Sequence, residues 1–237
     1  MGTNVGTRTG KGHKRMPRAV RERQMLDAAV AAFARHGYQS ASMDDIAEAA
    51  GVSKPLVYLY LKSKEELFMA CVRREVKALV ETVREGTRER DIPADRQLWN
   101  GLRAFFTHTA AHPDGVTVLH RARTQGEPFA QEVVAMRAQI TDIVTVLLAQ
   151  AAQDAGCDSE LAEREVSGLA HALVGAAESL AEWANARRDD APAEGPSAKE
   201  TAATLMNFCW AGLENLMKGE RWTPSRPTSP THGAASP

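Results

Sequence analysis

Residues 51–67 read GVSKPLVYLYLKSKEEL, and they follow SMDDIAEAA at 42–50. Apolar residues in both pieces have the spacing of short helices, and the AGVS segment around Gly51 separates them. Glycine in that segment lets the backbone leave helical space where a side chain has little room. Val57 is placed to pack back against Ile46, and the small Ala47 permits a close approach. This is the pattern of a helix-turn-helix. Pro55 does not argue against the second helix. With Ser53 as its N-cap, Pro55 falls at the second helical position, where a first-turn amide has no intrahelical acceptor to lose.

The side chains of that second helix suit a nucleic acid. Pro55 stiffens the N-terminal turn and offers its ring to a thymine methyl, Lys54 reaches a guanine edge or a phosphate, and Leu56 adds an apolar contact. Tyr58 and Tyr60 carry hydroxyls that can donate to phosphate oxygens on either flank. Lys64 opens the next helix, where its charge joins the free amides of a helix N-terminus, a setting suited to a phosphate.

Outward from this stretch, nearly every segment has apolar residues three and four apart, and none alternates with period two beside hairpin turn residues. The fold class is therefore all-α, with about nine helices. The first runs from about Arg18 to His36 and ends at Gly37. A second begins behind Ser42, whose hydroxyl can cap the amides of Asp44 or Asp45. Ser63 and Glu66 form a capping box for the fourth, which carries Leu67, Cys71, Val72, Val76, Leu79, Val80 and Val83 to about Gly86 or Arg90. A helix with Leu98, Leu102, Phe105, Phe106 and Thr109 on one face ends at His112-Pro113, and a short one follows through His120. Long helices are predicted over about 128–153, 159–188 and 197–219, the last two parted by the loop DDAPAEGP at 189–196.

The chain has 237 residues, enough to bury a sizeable core. Its formal charge of -1 is unevenly spread: residues 1–70 hold 11 basic against 7 acidic side chains, a net of +4 that leaves -5 for the rest. A basic N-terminal part points to a polyanionic partner, although a solvated basic face gives the same imbalance. Cys71, Cys157 and Cys209 are too few and too far apart for a disulfide framework or a structural zinc site, which fits a reducing compartment. The N-terminus lacks an apolar targeting core, and the longest apolar run, IVTVLLAQAA, is far short of the roughly 20 residues of a membrane span. These features predict a cytoplasmic protein.

The stretch SMDDIAEAAGVSKPLVYLYLKSKEELF, 42–68, resembles the DNA-binding domain of the TetR family of bacterial transcription regulators, including the Y-x-Y and K-x-x-L elements after the turn. The likeness is strong over 18–71. Matched position by position, it implies base contacts from Lys54, Pro55 and Leu56, and phosphate contacts from Ser42, Tyr58, Tyr60 and Lys64. Asp44 departs from the family, some of whose members carry a base-reading basic residue there, and Leu59 replaces an aromatic. The resemblance also implies a homodimer joined through the last two long helices and a small-molecule effector held by the central ones. The domains expected on this basis are a basic disordered arm over 1–17, the helix-turn-helix domain over 18–66, a larger effector-binding and dimerisation domain over 67–222, and a disordered tail over 223–237.

Arg18, with Arg8, Lys11, Lys14 and Arg15 of the arm, is placed to run along phosphates or into a minor groove. Trp99, Phe106, His120, Met136, Ile140, Val144, His171, Glu178 and Trp183 lie on the central helices and are candidates for an effector pocket, with ordinary core as the alternative. His171 and Glu178 stand out, since burying either without a partner is costly and a ligand can supply one. The small residues of the penultimate helix, from Ala170 to Ala184, suit a close helix–helix interface or an internal core equally. His108 and His112 share a helical face but lack the carboxylate of a metal-binding H-E-x-x-H motif. No phosphate loop, nucleophile elbow or zinc ligand set is present, so neither an enzyme nor a cofactor is expected. The expected function is a regulator, by default a repressor released from a pseudo-palindromic operator by a hydrophobic or amphipathic effector. An activator of the same fold and an effector-independent architectural DNA binder are the alternatives.

Overall fold

The computed structural model describes residues 17–154, 156, 159–190 and 195–218. Nine helices and no strands are found among them: α1 (Arg18–Ser40), α2 (Met43–Ala49), α3 (Lys54–Tyr60), α4 (Lys64–Gly86), α5 (Ala94–Ala111), α6 (Pro113–Gln125), α7 (Phe129–Asp154), α8 (Ser159–Asp190) and α9 (Ala198–Met217). The all-α prediction holds. The arm before residue 17, residues 191–194 of the expected 189–196 loop, Cys157 and the C-terminal tail lie outside the described residues, and α8 takes in 189–190 of that loop.

The helix ends follow local chemistry with some departures from the sequence expectations. Gly37, with φ 77°, leaves helical geometry but does not end α1 as expected: helix resumes beyond this kink and runs on to Ser40. Ser42 caps α2 through bonds from the amides of Asp44 (3.2 Å) and Asp45 (3.4 Å). Ser53 precedes α3 but makes no side-chain cap; Pro55 has no amide to offer, and the amide of Leu56 donates to the Ser53 carbonyl at 2.9 Å. At α4, Glu66 donates its amide to Ser63 Oγ at 3.0 Å, whereas its carboxylate accepts from the amide of Lys62 rather than of Ser63. The capping box is thus half formed, with its return bond shifted by one residue.

Two compact units divide the chain. Unit 1 takes residues up to Val80 together with Ala111–Met136, so the N-terminal part of α4, α6 and the start of α7 pack with α1, α2 and α3. Its centre is a group of four aromatic rings. Phe68 meets Phe33 at 4.9 Å and Phe129 at 4.8 Å, both edge-on, and Tyr38 lies 5.1 Å from Phe68 and 5.4 Å from Phe129. Such pairs add about 0.5 to 1.5 kcal/mol each beyond the apolar area they bury. Polar ties surround the rings. Arg121 of α6 donates to the Ala34 carbonyl at 3.0 Å, just before the Gly37 kink, and Arg74 of α4 pairs with Asp27 of α1 at 2.6 Å and with Glu75 at 2.9 Å. Glu75 in turn places its carboxylate against Gly115, where an added Cβ would require the carboxylate to shift. Cys71 lies in the same core and its thiol is pushed up to about 12, chiefly by burial, as suits an apolar filler.

Unit 2 comprises Glu81–Ala110 and the chain from Arg137 onward. Leu98, Leu102, Phe105 and Phe106 of α5 form its core with Ile140, Val144, Leu147 and Leu148 of α7, Leu173 and Val174 of α8, and Leu205 of α9. Ala170, Ala177, Ala181 and Ala184 of α8 are all buried within this single unit. For those four the internal-core reading applies. No helix among the described residues is long and apolar enough to cross a membrane.

Phe68 is fully buried and contacts all three of the other rings, so Phe68→Ala is expected to cost about 3 to 5 kcal/mol of unfolding free energy in a urea titration. A loss below about 1 kcal/mol would mean that the four rings do not share one core.

Candidate nucleic-acid interface

The site is built by the turn between α2 and α3. The amide of Val52 donates to the Ala47 carbonyl at 3.0 Å and that of Gly51 to Glu48 at 2.9 Å, the pair of bonds of a Schellman motif. Gly51 adopts φ 65°, in the left-handed region that favours glycine. No other atom lies within 4 Å of where its Cβ would be. Backbone conformation therefore requires Gly51, as the sequence indicates, whereas the expected shortage of room for a side chain is not found.

Leaving this turn, α3 has only seven residues, too few to be stable alone. Val57 and Ile46 are both fully buried, and this contact side of α3 anchors it. The opposite side is open. Lys54 and Pro55 are exposed, as are Tyr58 (40 %) and Leu59 (76 %), while Leu56 and Tyr60 are half-buried. A leucine three-quarters exposed on a seven-residue helix is the most prominent apolar feature of this face. Apart from noting that it replaces an aromatic, the sequence reading gave it no role.

Among the described residues, each basic group predicted to meet DNA has an internal partner, while Arg8, Lys11, Lys14 and Arg15 lie outside them. Lys54 Nζ lies 2.9 Å from Asp44 Oδ2, joining the first turns of α2 and α3, and this bond together with the carboxylate charge raises the lysine above its ordinary value. Arg18 places its guanidinium 5.0 Å from the centre of the Tyr60 ring, so the start of α1 and the end of α3 are held together. Lys64 donates to the Gln39 carbonyl at 2.7 Å and lies 5.4 Å from the Tyr38 ring centre. An ammonium has three donors, so one bond to Gln39 orients Lys64 and leaves two for an anion. Ser42 Oγ accepts from Asp44 and Asp45, and its hydroxyl hydrogen stays available to donate. Sequence reasoning missed Asp44 as the partner of Lys54. The signal was there, as opposite charges at the first turns of two helices flanking a tight turn.

The effector candidates are distributed differently from expectation. Phe106, Met136, Ile140 and Val144 are buried and Trp99 is half-buried, but His120, His171 and Trp183 are exposed. His171 Nδ1 lies 2.8 Å from the Ser167 carbonyl one turn earlier, and Glu178 Oε2 lies 3.2 Å from Arg137 Nε. The desolvation argument for a ligand partner therefore lapses at both, since His171 remains in solvent and Glu178 already faces a guanidinium. His120 and Met136 belong to unit 1 and the other seven to unit 2. His108 Nδ1 contacts Thr82 Oγ1 at 3.2 Å, and no cluster of potential metal ligands occurs among the described residues.

Comparison with known proteins agrees with this geometry. Residues 25–71 match the family described as "Bacterial regulatory proteins, tetR family", and residues 94–212 match "Tetracyclin repressor-like, C-terminal domain". The chain is 33 % identical over 212 residues to the "HTH-type transcriptional activator FasR" of Mycolicibacterium smegmatis, covering 89 % of this chain and 90 % of that protein. The crystal structure of a TetR-like transcriptional regulator from Rhodococcus sp. RHA1 superposes with a TM-score of 0.71 at 33 % identity, over 84 % of this chain and 99 % of that one. A FadR transcriptional regulator from Bacillus subtilis, solved in complex with stearoyl-CoA, shares the fold with a TM-score of 0.57 at 22 % identity, over 84 % of this chain and all of the other.

If Lys64 meets a phosphate, Lys64→Met is expected to weaken binding to every duplex alike and to lower the slope of log affinity against log salt by about 0.9. Fluorescence anisotropy at several salt concentrations reads both, with thermal unfolding as a check on the lost Gln39 bond. An unchanged slope in a folded variant would remove Lys64 from the interface.

Proposed function

The chain belongs to the TetR family of bacterial regulatory proteins, and from that premise we propose that it is a ligand-responsive transcription regulator acting as a homodimer on a pseudo-palindromic operator. The observation that carries this reading is α3, a helix too short to stand alone, held by Gly51 and Val57 with Lys54, Pro55, Tyr58 and Leu59 turned to solvent. Lys54, Pro55 and Leu56 meet base edges, and Ser42, Tyr58, Tyr60, Lys64 and Arg18 meet phosphates. Paired across a two-fold axis, two such helices reach successive major grooves about 34 to 36 Å apart.

Large apolar side chains left in solvent on the last two helices support the dimer. Phe208 of α9 is 77 % exposed and Trp183 of α8 is 47 % exposed, and a second copy would cover them. Support for an apolar or amphipathic effector comes from the Phe106, Ile140 and Val144 interior of unit 2 and from the stearoyl-CoA held by the B. subtilis protein of the same fold. A fatty acyl thioester is the effector class we favour. Its coupling to DNA need be only about 1 to 3 kcal/mol, or about 5- to 150-fold in affinity, to act as a switch. Activation is the second reading of direction, because the M. smegmatis relative that spans nearly the whole chain is named an activator. Release of the operator by effector would then turn transcription off.

The test is an anisotropy titration of the full chain with a duplex selected from a randomised library and with a scrambled duplex of equal length, at two salt concentrations, with and without stearoyl-CoA. A regulator is expected to bind the selected duplex about a thousand-fold or more tightly than the scrambled one, and to lose affinity for it on adding the thioester. Equal affinity for both duplexes would contradict regulation and fit an architectural binder. A specificity ratio that stearoyl-CoA leaves unchanged would reject the effector class alone.

A further inference from the structure

The Lys54–Asp44 pair has no evident work to do in folding. Both side chains are exposed, 47 % and 64 %, and exposed ion pairs contribute little to stability. Its position is unusual, since a carboxylate beside the first turn of a DNA-reading helix faces a polyanion. Yet Asp44 is well fixed there. It lies in the first turn of α2, its amide donates to Ser42 Oγ at 3.2 Å, and its Oδ2 receives the Lys54 ammonium at 2.9 Å. Docking on a duplex removes water from this pair. The carboxylate then needs a second donor and the ammonium needs acceptors for its two remaining hydrogens.

We propose that Asp44 and Lys54 act as one reading unit for a G·C base pair in the major groove, with Asp44 as a specificity-determining residue. This rests on the DNA-binding reading above. The groove edge of G·C presents two adjacent acceptors, guanine N7 and O6, followed by one donor, the cytosine 4-amino group. Lys54 donates to the two acceptors and Asp44 accepts from the amino group, so every polar atom taken out of water finds a partner. An A·T edge places its one donor between two acceptors and ends in a methyl group. On that edge the ammonium has a single acceptor beside the donor, and the carboxylate faces thymine O4, which repels it. The inference also accounts for an acidic residue at a position where a carboxylate would otherwise only weaken DNA binding.

The full-length protein, its Lys54→Met variant and its Asp44→Ala and Asp44→Asn variants are each used to select from a randomised duplex library, with thermal unfolding of each variant measured alongside. The wild type is expected to enrich a half-site containing a G·C pair at which Lys54→Met relaxes the preference. Asp44→Ala is expected to relax the same base pair by about ten-fold or more while the other positions hold. Asp44→Asn, neutral and of the same shape, offers both a donor and an acceptor, so its preference at that pair should move toward A·T; it serves as the variant of record if Asp44→Ala unfolds. An Asp44 variant that binds all sequences more tightly, with unchanged preference, would reduce Asp44 to simple repulsion and overturn the inference. An A·T pair at the Lys54-dependent position would overturn it as well. If the wild type enriches nothing, the DNA-binding reading fails first and this inference with it.

Discussion

The positive φ of Gly51 is the constraint on which the functional end of this protein depends. A seven-residue helix has no stability of its own, so α3 exists only as far as its neighbours hold it. Gly51 lets the chain reverse within a few residues, its two turn bonds close α2, and Val57 then fits against the buried side of α2. Once that side is fixed, the helical period leaves Lys54, Pro55, Tyr58 and Leu59 on the other. An added Cβ at position 51 would meet no neighbour within 4 Å, yet a β-branched residue would still oppose the turn through its backbone.

The same economy governs the charges. Arg18 rests on Tyr60, Lys64 on Tyr38 and the Gln39 carbonyl, and Lys54 on Asp44. Each contact is weak at an exposed position, and none contributes much to the folded state. Each instead limits the rotamers of a long side chain before any partner arrives, so less conformational entropy remains to be lost on binding. Tyr38 links this arrangement to the core, since the ring beneath Lys64 also packs on Phe68 and Phe129. A phosphate at Lys64 would thus lie one ring away from the aromatic centre of unit 1.

Local chemistry was legible in the sequence and distant chemistry was not. The Ser42 cap, the tolerance of Pro55 and the apolar face of α5 follow from residues within a few positions of one another, and the structure agrees with them, while Gly37 kinks α1 where it was expected to end it. Contacts between residues far apart in the chain were invisible: Arg121 on Ala34, Arg74 on Asp27, and Phe129 on Phe68 each join segments whose approach depends on the whole fold. The effector candidates suffered from the same limit. His171 and Glu178 were singled out on the assumption of burial, and burial is a tertiary property; one is in solvent and the other faces Arg137. Asp44 lies between these cases, since its partner is ten residues away across a single tight turn.

The central claim is that the first turn of α3 enters the major groove. Methylation interference with dimethyl sulfate tests it directly, because the reagent modifies guanine N7 in the major groove and adenine N3 in the minor groove. On a duplex selected by the full-length protein, methylation of guanine N7 is expected to abolish binding at two clusters about 10 base pairs apart, one per half-site. Interference confined to adenine N3 would place the protein in the minor groove and contradict the account.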